Sequence, residues 1–212
     1  MKKLAAIVGF HFLVLVIVSC NVSVNKTVYV EDGTTKRGDI NAVNGAIIVG
    51  EDCKVKGDCR TVNGRIEVGK RSRVEDVQSV NGRIELSEEV YSDGDIESVN
   101  GDISCAKDVE IEGYVRSVNG NIELYHTLVN RNVTTVNGNI VLDDESRLKG
   151  NVIIEGKRKN RSKQRVIKIK ILNDSVVEGD IIVEDENVEV LVFLENGGNV
   201  LGKIENAEVV GQ

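Results

Sequence analysis

Ser79-Val80-Asn81-Gly82-Arg83-Ile84-Glu85-Leu86 decides the reading of this chain, because it returns with few changes as Ser98 to Cys105 and Ser117 to Leu124. Val-Asn-Gly occurs six times, with asparagines at Asn44, Asn63, Asn81, Asn100, Asn119 and Asn137, spaced by 19, 18, 19, 19 and 18 residues. Three residues after each asparagine stands an isoleucine: Ile47, Ile66, Ile84, Ile103, Ile122 and Ile140. Two further on come Val49, Val68, Leu86, Cys105, Leu124 and Leu142. Four residues before it stand Ile40, Cys59, Val77, Ile96, Val115 and Val133. Polar residues such as Arg65, Glu67, Arg83 and Glu85 fall between these columns, so each short segment alternates in and out with period two, as a half-buried strand does.

A repeat of 18 to 19 residues is too short for a propeller blade or a helix pair. It fits one turn of a β-solenoid in which like residues stack about 4.8 Å apart. The expected fold is therefore all-β, a single-stranded parallel β-helix with three short strands per coil, forming a rod roughly 45–50 Å long by that spacing. The isoleucine and valine columns become interior ladders. The valine before each asparagine (Val43, Val62, Val80, Val99, Val118, Val136) is expected to share in this. Each Asn-Gly is expected to form a tight turn at positive φ. A second corner reads as Gly38-Asp39, Gly57-Asp58, Gly94-Asp95 and Gly113-Tyr114. The asparagine side chains either stack as an amide ladder or only set turn geometry; the functional alternative is a row that reads a ligand. After Asn137 the pattern decays: Glu155-Gly156 replaces Asn-Gly, and Val177-Glu178-Gly179-Asp180-Ile181 is read as a degenerate return of Val-Asn-Gly-x-Ile. Residues 21–150 are the regular solenoid and 151–212 degenerate coils and cap, with Val188 to Leu194 a strand; Val24, Val28 and Val30 mark the entry strand.

Met1-Lys2-Lys3 precedes an apolar run from Leu4 to Val18 that ends in Ser19-Cys20, the layout of a signal peptide over residues 1–20. The run is shorter than a membrane span needs and is interrupted by Gly9 and His11. Removing residues 1–20 takes away Lys2, Lys3 and no acid, leaving 25 basic against 34 acidic residues, a net charge of −9. Overall charge thus argues against nucleic acid as a partner. Proline and tryptophan are absent from the chain, and Phe193 is the only phenylalanine after residue 20. Lack of proline suits a domain in which nearly every coil pairs with the next. The scarcity of aromatic rings, 3% of the chain, argues mildly against a sugar-stacking platform.

Ile17-Val18-Ser19-Cys20 resembles the bacterial lipobox, which implies cleavage before Cys20, lipidation of its sulfur and membrane anchoring through that residue. The same resemblance makes Asn21 a residue favouring the outer membrane in a Gram-negative envelope. The recurring Ser/Thr-Val-Asn-Gly-x-Ile-x-Val/Leu over residues 38–156 resembles a bacterial adhesin-type β-strand-repeat family of envelope proteins without an assigned activity. Bactofilins, the polymer-forming cytoskeletal β-helices, are a second resemblance. Neither implies a catalytic residue or a cofactor. The functional expectation is a non-catalytic, lipid-anchored envelope module, structural or adhesive. A cation- or polysaccharide-binding solenoid and a bactofilin-like polymer-forming scaffold are the alternatives.

Candidate chemistry is sparse. Asp39, Asp58, Asp76 and Asp95 form a column five residues before the asparagines, read as a solvated turn column or a calcium site, with Arg60 and Arg116 able to neutralise it. Acid/base catalysis would need a cleft that even coil spacing does not provide. His126 is the only histidine after residue 20 and is read as a solvated loop residue. Cys59 and Cys105 replace aliphatic residues in interior columns; Cys53 and Cys59 either pair within one coil or remain thiols. Lys157 to Lys170 carries eight basic residues and no acid. It is read as a solvated loop over Lys157 to Arg165 followed by a strand, or as a contact for anionic envelope polymer, lipid headgroup or an acidic partner such as the acidic flank of another copy of the chain.

Overall fold

The computed structural model describes residues 22–156, 165–185 and 187–210. The expected signal peptide with Cys20, and most of the basic loop after Lys157, lie outside the described residues. The first coil comprises β1 (Val22–Val24), β2 (Val28–Val30) and β3 (Thr35–Arg37), and the second β4 (Ile40–Val43), β5 (Ile47–Val49) and β6 (Lys54–Lys56). This order repeats to residue 209 and builds three parallel sheets: sheet 1 through β1 and β4, sheet 2 through β2 and β5, sheet 3 through β3 and β6. Sheets 1 and 2 have ten strands and sheet 3 has nine, so the chain completes nine turns of a β-solenoid. No helix occurs among the described residues.

The register follows the sequence columns. In sheet 2, Ile47, Ile66, Ile84, Ile103, Ile122 and Ile140 pair successively. In sheet 1, Ile40, Cys59, Val77, Ile96, Val115 and Val133 do the same. Period-two alternation fixes this choice, because a one-residue slip would turn every isoleucine to solvent. Stacking continues past residue 150: Val133, Val152, Ile181 and Ile204 remain in register in sheet 1, and Ile140, Ile169 and Val192 in sheet 2. Gly179-Asp180 therefore occupies the corner of Gly57-Asp58, and Ile181 is a sheet 1 residue rather than the isoleucine that follows an asparagine corner. Two eight-residue strands, Arg165–Leu172 and Val188–Glu195, pair along their whole length, with Ile167, Ile169 and Ile171 inward and Lys168 and Lys170 exposed. Every buried apolar residue of the described chain lies between Val30 and Val192. The buried apolar side chains of the described residues thus form one core along the rod, each fully buried aliphatic side chain contributing on the order of 1.5–3 kcal/mol.

Two expectations are corrected. The valines before the asparagines face outward and are half-buried; the inward place belongs to the residue before each of them. There Ala42, Thr61, Ser79, Ser98, Ser117 and Thr135 are buried. Val24, in the same outward row as Val43, is 57% exposed. The second correction concerns turn chemistry. Of the repeat asparagines only Asn44 has a positive φ, 57°, and none of the glycines that follow them does. These glycines are required by stacking instead: a Cβ on Gly64, Gly82, Gly101, Gly120 or Gly138 would overlap the carbonyl oxygen of the corresponding glycine one coil earlier. Left-handed backbone concentrates at the corner between sheets 2 and 3, on Asp52, Arg71, Glu89, Asp108 and His126.

Cys53, Cys59 and Cys105 are buried free thiols, which decides the alternative left open for Cys53 and Cys59. Burial pushes Cys59 and Cys105 up to about 12. Since the thiolate is the nucleophile, neither should react at neutral pH in the folded chain. Alkylation of residues 21–212 in native buffer should leave Cys59 and Cys105 unmodified by mass spectrometry, and denaturant should render all three thiols reactive. Modification of either in the native state would contradict the assigned core.

Candidate functional site

A coil of three strands exposes three corners and three faces, and a function of this rod must be built from rows of residues that recur along it. The corner between sheets 1 and 2 carries the asparagines. Their side chains form a continuous amide ladder: Asn44 Nδ2 donates to Asn25 Oδ1 at 3.0 Å, and Asn63, Asn81, Asn100, Asn119 and Asn137 each donate to the asparagine one coil earlier at 2.5–2.7 Å. Asn25 opens the row although no glycine follows it, and Arg165 closes it by donating to Asn137 Oδ1. Arg165 also holds Asp185, only 5% exposed, at 2.6 Å. Beneath the ladder, Ser79, Ser98, Ser117 and Thr135 accept the N–H of Gly82, Gly101, Gly120 and Gly138 at 2.9 Å. The three serines donate in turn to the glycine carbonyl one coil earlier. These hydroxyls satisfy backbone groups that the corner would otherwise bury unpaired.

The carboxylates of the second corner are similarly occupied. Asp39 Oδ1 accepts the Asp58 N–H at 3.1 Å, Asp76 that of Asp95 at 2.9 Å and Asp95 that of Tyr114 at 3.0 Å. Asn132, Asn151 and Asp180 continue the row on the next coils. The column is thus a series of side-chain caps on the amides of successive coils. Arg60 lies between Asp39, at 3.7 Å, and Asp58. Arg116 instead reaches Glu155 at 2.7 Å and leaves the aspartates alone. Among the described residues no three His, Cys, Asp or Glu side chains converge in a metal-binding arrangement.

Between the aspartates and the valines, the outer face of sheet 1 carries Arg60, Gln78, Glu97 and Arg116 in register. Glu97 accepts the Tyr114 hydroxyl at 2.9 Å. Burial pushes the Glu97 carboxyl above its ordinary value, against the opposing pull of the Tyr114 hydrogen bond and Arg116. A raised carboxyl means that the charged form is disfavoured in the fold, so its cost is present above the folded-state value and disappears as pH falls below the ordinary glutamate range. Glu97→Gln should therefore raise Tm at pH 7 by about 1–3 °C, with the gain vanishing near pH 4. A lower Tm at pH 7 would refute this account.

At the third corner, His126 adopts φ 45° and is partly covered. Its Nδ1 lies 2.9 Å from the Asp144 carbonyl and its Nε2 3.3 Å from Asp108 Oδ1. Val109, Glu110, Leu128, Glu145 and Arg147 complete a shallow, open groove around it. The structure thus brings together the asparagine row, places the aspartate row in backbone capping, and keeps His126 apart from both. Sequence reasoning missed Asn25 and Arg165 as ladder ends, and the Glu97–Tyr114 pair. What the rod offers chemically is repetition: amide, carboxylate and valine groups presented at the inter-strand spacing to an extended ligand. In comparison with known proteins, no protein-family model, no curated protein and no solved structure matches the chain.

Proposed function

We propose that this chain is a non-catalytic, lipid-anchored protein of the bacterial cell envelope, tethered through Cys20 and serving as a structural or adhesive rod. The observation that carries the reading is the evenness of the solenoid. From Val22 to Ile154 successive coils differ by at most one residue, so no long loop rises from the stack to wall a cleft. Catalysis on a β-helix needs such a cleft to exclude water and position a substrate. Rods of this kind instead offer long, uniform surfaces. The lipobox-like Ile17-Val18-Ser19-Cys20 supports tethering, since it ends immediately before the first strand and leaves almost no linker. Localisation on the outer membrane, where the cell has one, rests on Asn21.

Metabolic labelling with palmitate tests the tether. The full chain should incorporate label and fractionate with membranes, and Cys20→Ser should remain an unlabelled precursor. Equal labelling of the variant would remove the lipoprotein reading.

A further inference from the structure

The basic residues of the rod are distributed unevenly with respect to their partners. Every one from Arg60 to Arg83 makes an ion pair: Arg60 with Asp39 and Asp58, Arg65 with Glu67, Lys70 with Glu88, Arg71 with Glu51 and Asp52, Arg73 with Asp93, Arg83 with Glu85. None of the five in the first two coils, Lys26, Lys36, Arg37, Lys54 and Lys56, makes one among the described residues, and all are exposed. The acids near them are largely taken by the coils above: Asp39 faces Arg60, Glu51 and Asp52 are held by Arg71, and Asp32 Oδ1 accepts the Glu51 N–H. Only Glu31 of that group has no such engagement.

Three of these cations, Arg37, Lys54 and Lys56, stand together on the outer face of sheet 3. β3 and β6 pair with Arg37 beside Lys56 and Thr35 beside Lys54, and Lys54 is next to Arg73 on the following strand. Like charges directly opposed on neighbouring strands are destabilising. Farther along the same face basic residues are paired with acids, Arg73 with Asp93 and Arg147 with Glu178. Glu75, exposed two residues after Arg73, continues the row of Arg37 and Lys56 but makes no ion pair, so the first two strands keep unpaired positive charge that an anion from outside would balance. Lys36 lies on the other side of β3, at the register position of the buried Val55, and is exposed at the end of the described solenoid next to these cations. At the same end, Tyr29 is 71% and Val24 57% exposed.

We infer that the first two coils dock on an anionic phospholipid surface through Lys36, Arg37, Lys54 and Lys56. The partner is identified by position, and this step rests on the tether proposed above. One residue, Asn21, separates Cys20 from β1, and the two links span at most about 7 Å. A lipid on Cys20 therefore holds the first coil within about one Debye length, 8–10 Å, of the headgroups. Basic residues at that distance are drawn to anionic lipid, and an exposed tyrosine suits the interface. Contact on this patch would set the tilt of the rod.

The patch can be tested without the lipid, using residues 21–212, which contain every core residue among those described. Co-sedimentation should show binding to vesicles rich in phosphatidylglycerol at low salt, little binding to phosphatidylcholine vesicles, and release at high salt. Lys36→Ser/Arg37→Ser/Lys54→Ser/Lys56→Ser should weaken partitioning about tenfold or more, as expected for four cations near an anionic surface. Lys54→Ser/Lys56→Ser alone should weaken it by a smaller factor, and Lys149→Ser/Lys203→Ser should leave it unchanged. Thermal unfolding of each variant verifies the fold. The proposal is overturned if the wild-type chain ignores phosphatidylglycerol, if neutral vesicles bind as well, or if the control pair weakens binding as much as the cluster. Binding to a soluble polyanion but not to vesicles would also overturn it, assigning the cluster to a polymer. Palmitate labelling decides the tether separately, because no lipid on Cys20 enters the vesicle assay.

Discussion

Ile103→Asp should unfold the rod or destabilise it by about 4 kcal/mol or more, because a carboxylate placed in an apolar core has neither water nor a partner. Ile103 is fully buried and stacked between Ile84 and Ile122. Ile84→Asp should behave alike. Glu85, one residue along the same strand, points outward, and Glu85→Ser should cost no more than about 0.5 kcal/mol, the loss of its exposed pair with Arg83. The central position of Ile103 magnifies the effect. In a solenoid each coil is stabilised by its two neighbours, so a failed coil in the middle splits the stack into two pieces with new open ends. Thermal unfolding followed by circular dichroism measures this directly; similar losses for Ile103→Asp and Glu85→Ser would refute the register.

Gly101→Ala should be the second severe change, at about 3 kcal/mol. The backbone of Gly101 is acceptable to alanine, but the added methyl would overlap the carbonyl of Gly82, which cannot move without separating the coils. Gly38 makes the comparison informative. Its φ is +81° and a Cβ there would meet nothing within 4 Å. Gly38→Ala should therefore show only the cost of left-handed backbone, about 1 kcal/mol. If the Asn-Gly glycines served turn geometry, the order of the two effects would be reversed.

That reversal marks where the sequence was legible and where it was not. Columns of isoleucine at a fixed interval set the coil length, the number of strands per turn and the register, since burial of one face permits a single phase. The inward place before each asparagine was misassigned, because valine is the more apolar neighbour. Parity counted from Ile96 puts Ser98 inside and Val99 outside, and the serine hydroxyl is needed there to pair the Gly101 N–H. Asn25 escaped notice for a related reason. Lys26 follows it, in the first described coil, and among the described residues no earlier coil lies against it to demand glycine there. Arg165 could not be found from spacing at all, since it lies 28 residues from Asn137, outside the 18- to 19-residue interval.

The asparagine row has a direction as well as a length. Each side-chain amide points its N–H toward the first coil and its C=O toward the later ones, so the group dipoles add along the axis and polarise one another. The negative end of the array is the Asn137 carbonyl, and the guanidinium of Arg165 is placed against it, as a cation is favoured at the carboxyl end of a helix. The positive end, at Asn25, faces the first coil, where the unpaired lysines and the exposed Tyr29 also lie. The rod is therefore electrically polar along its axis, and the field of its amides reinforces the preference of that end for an anionic surface.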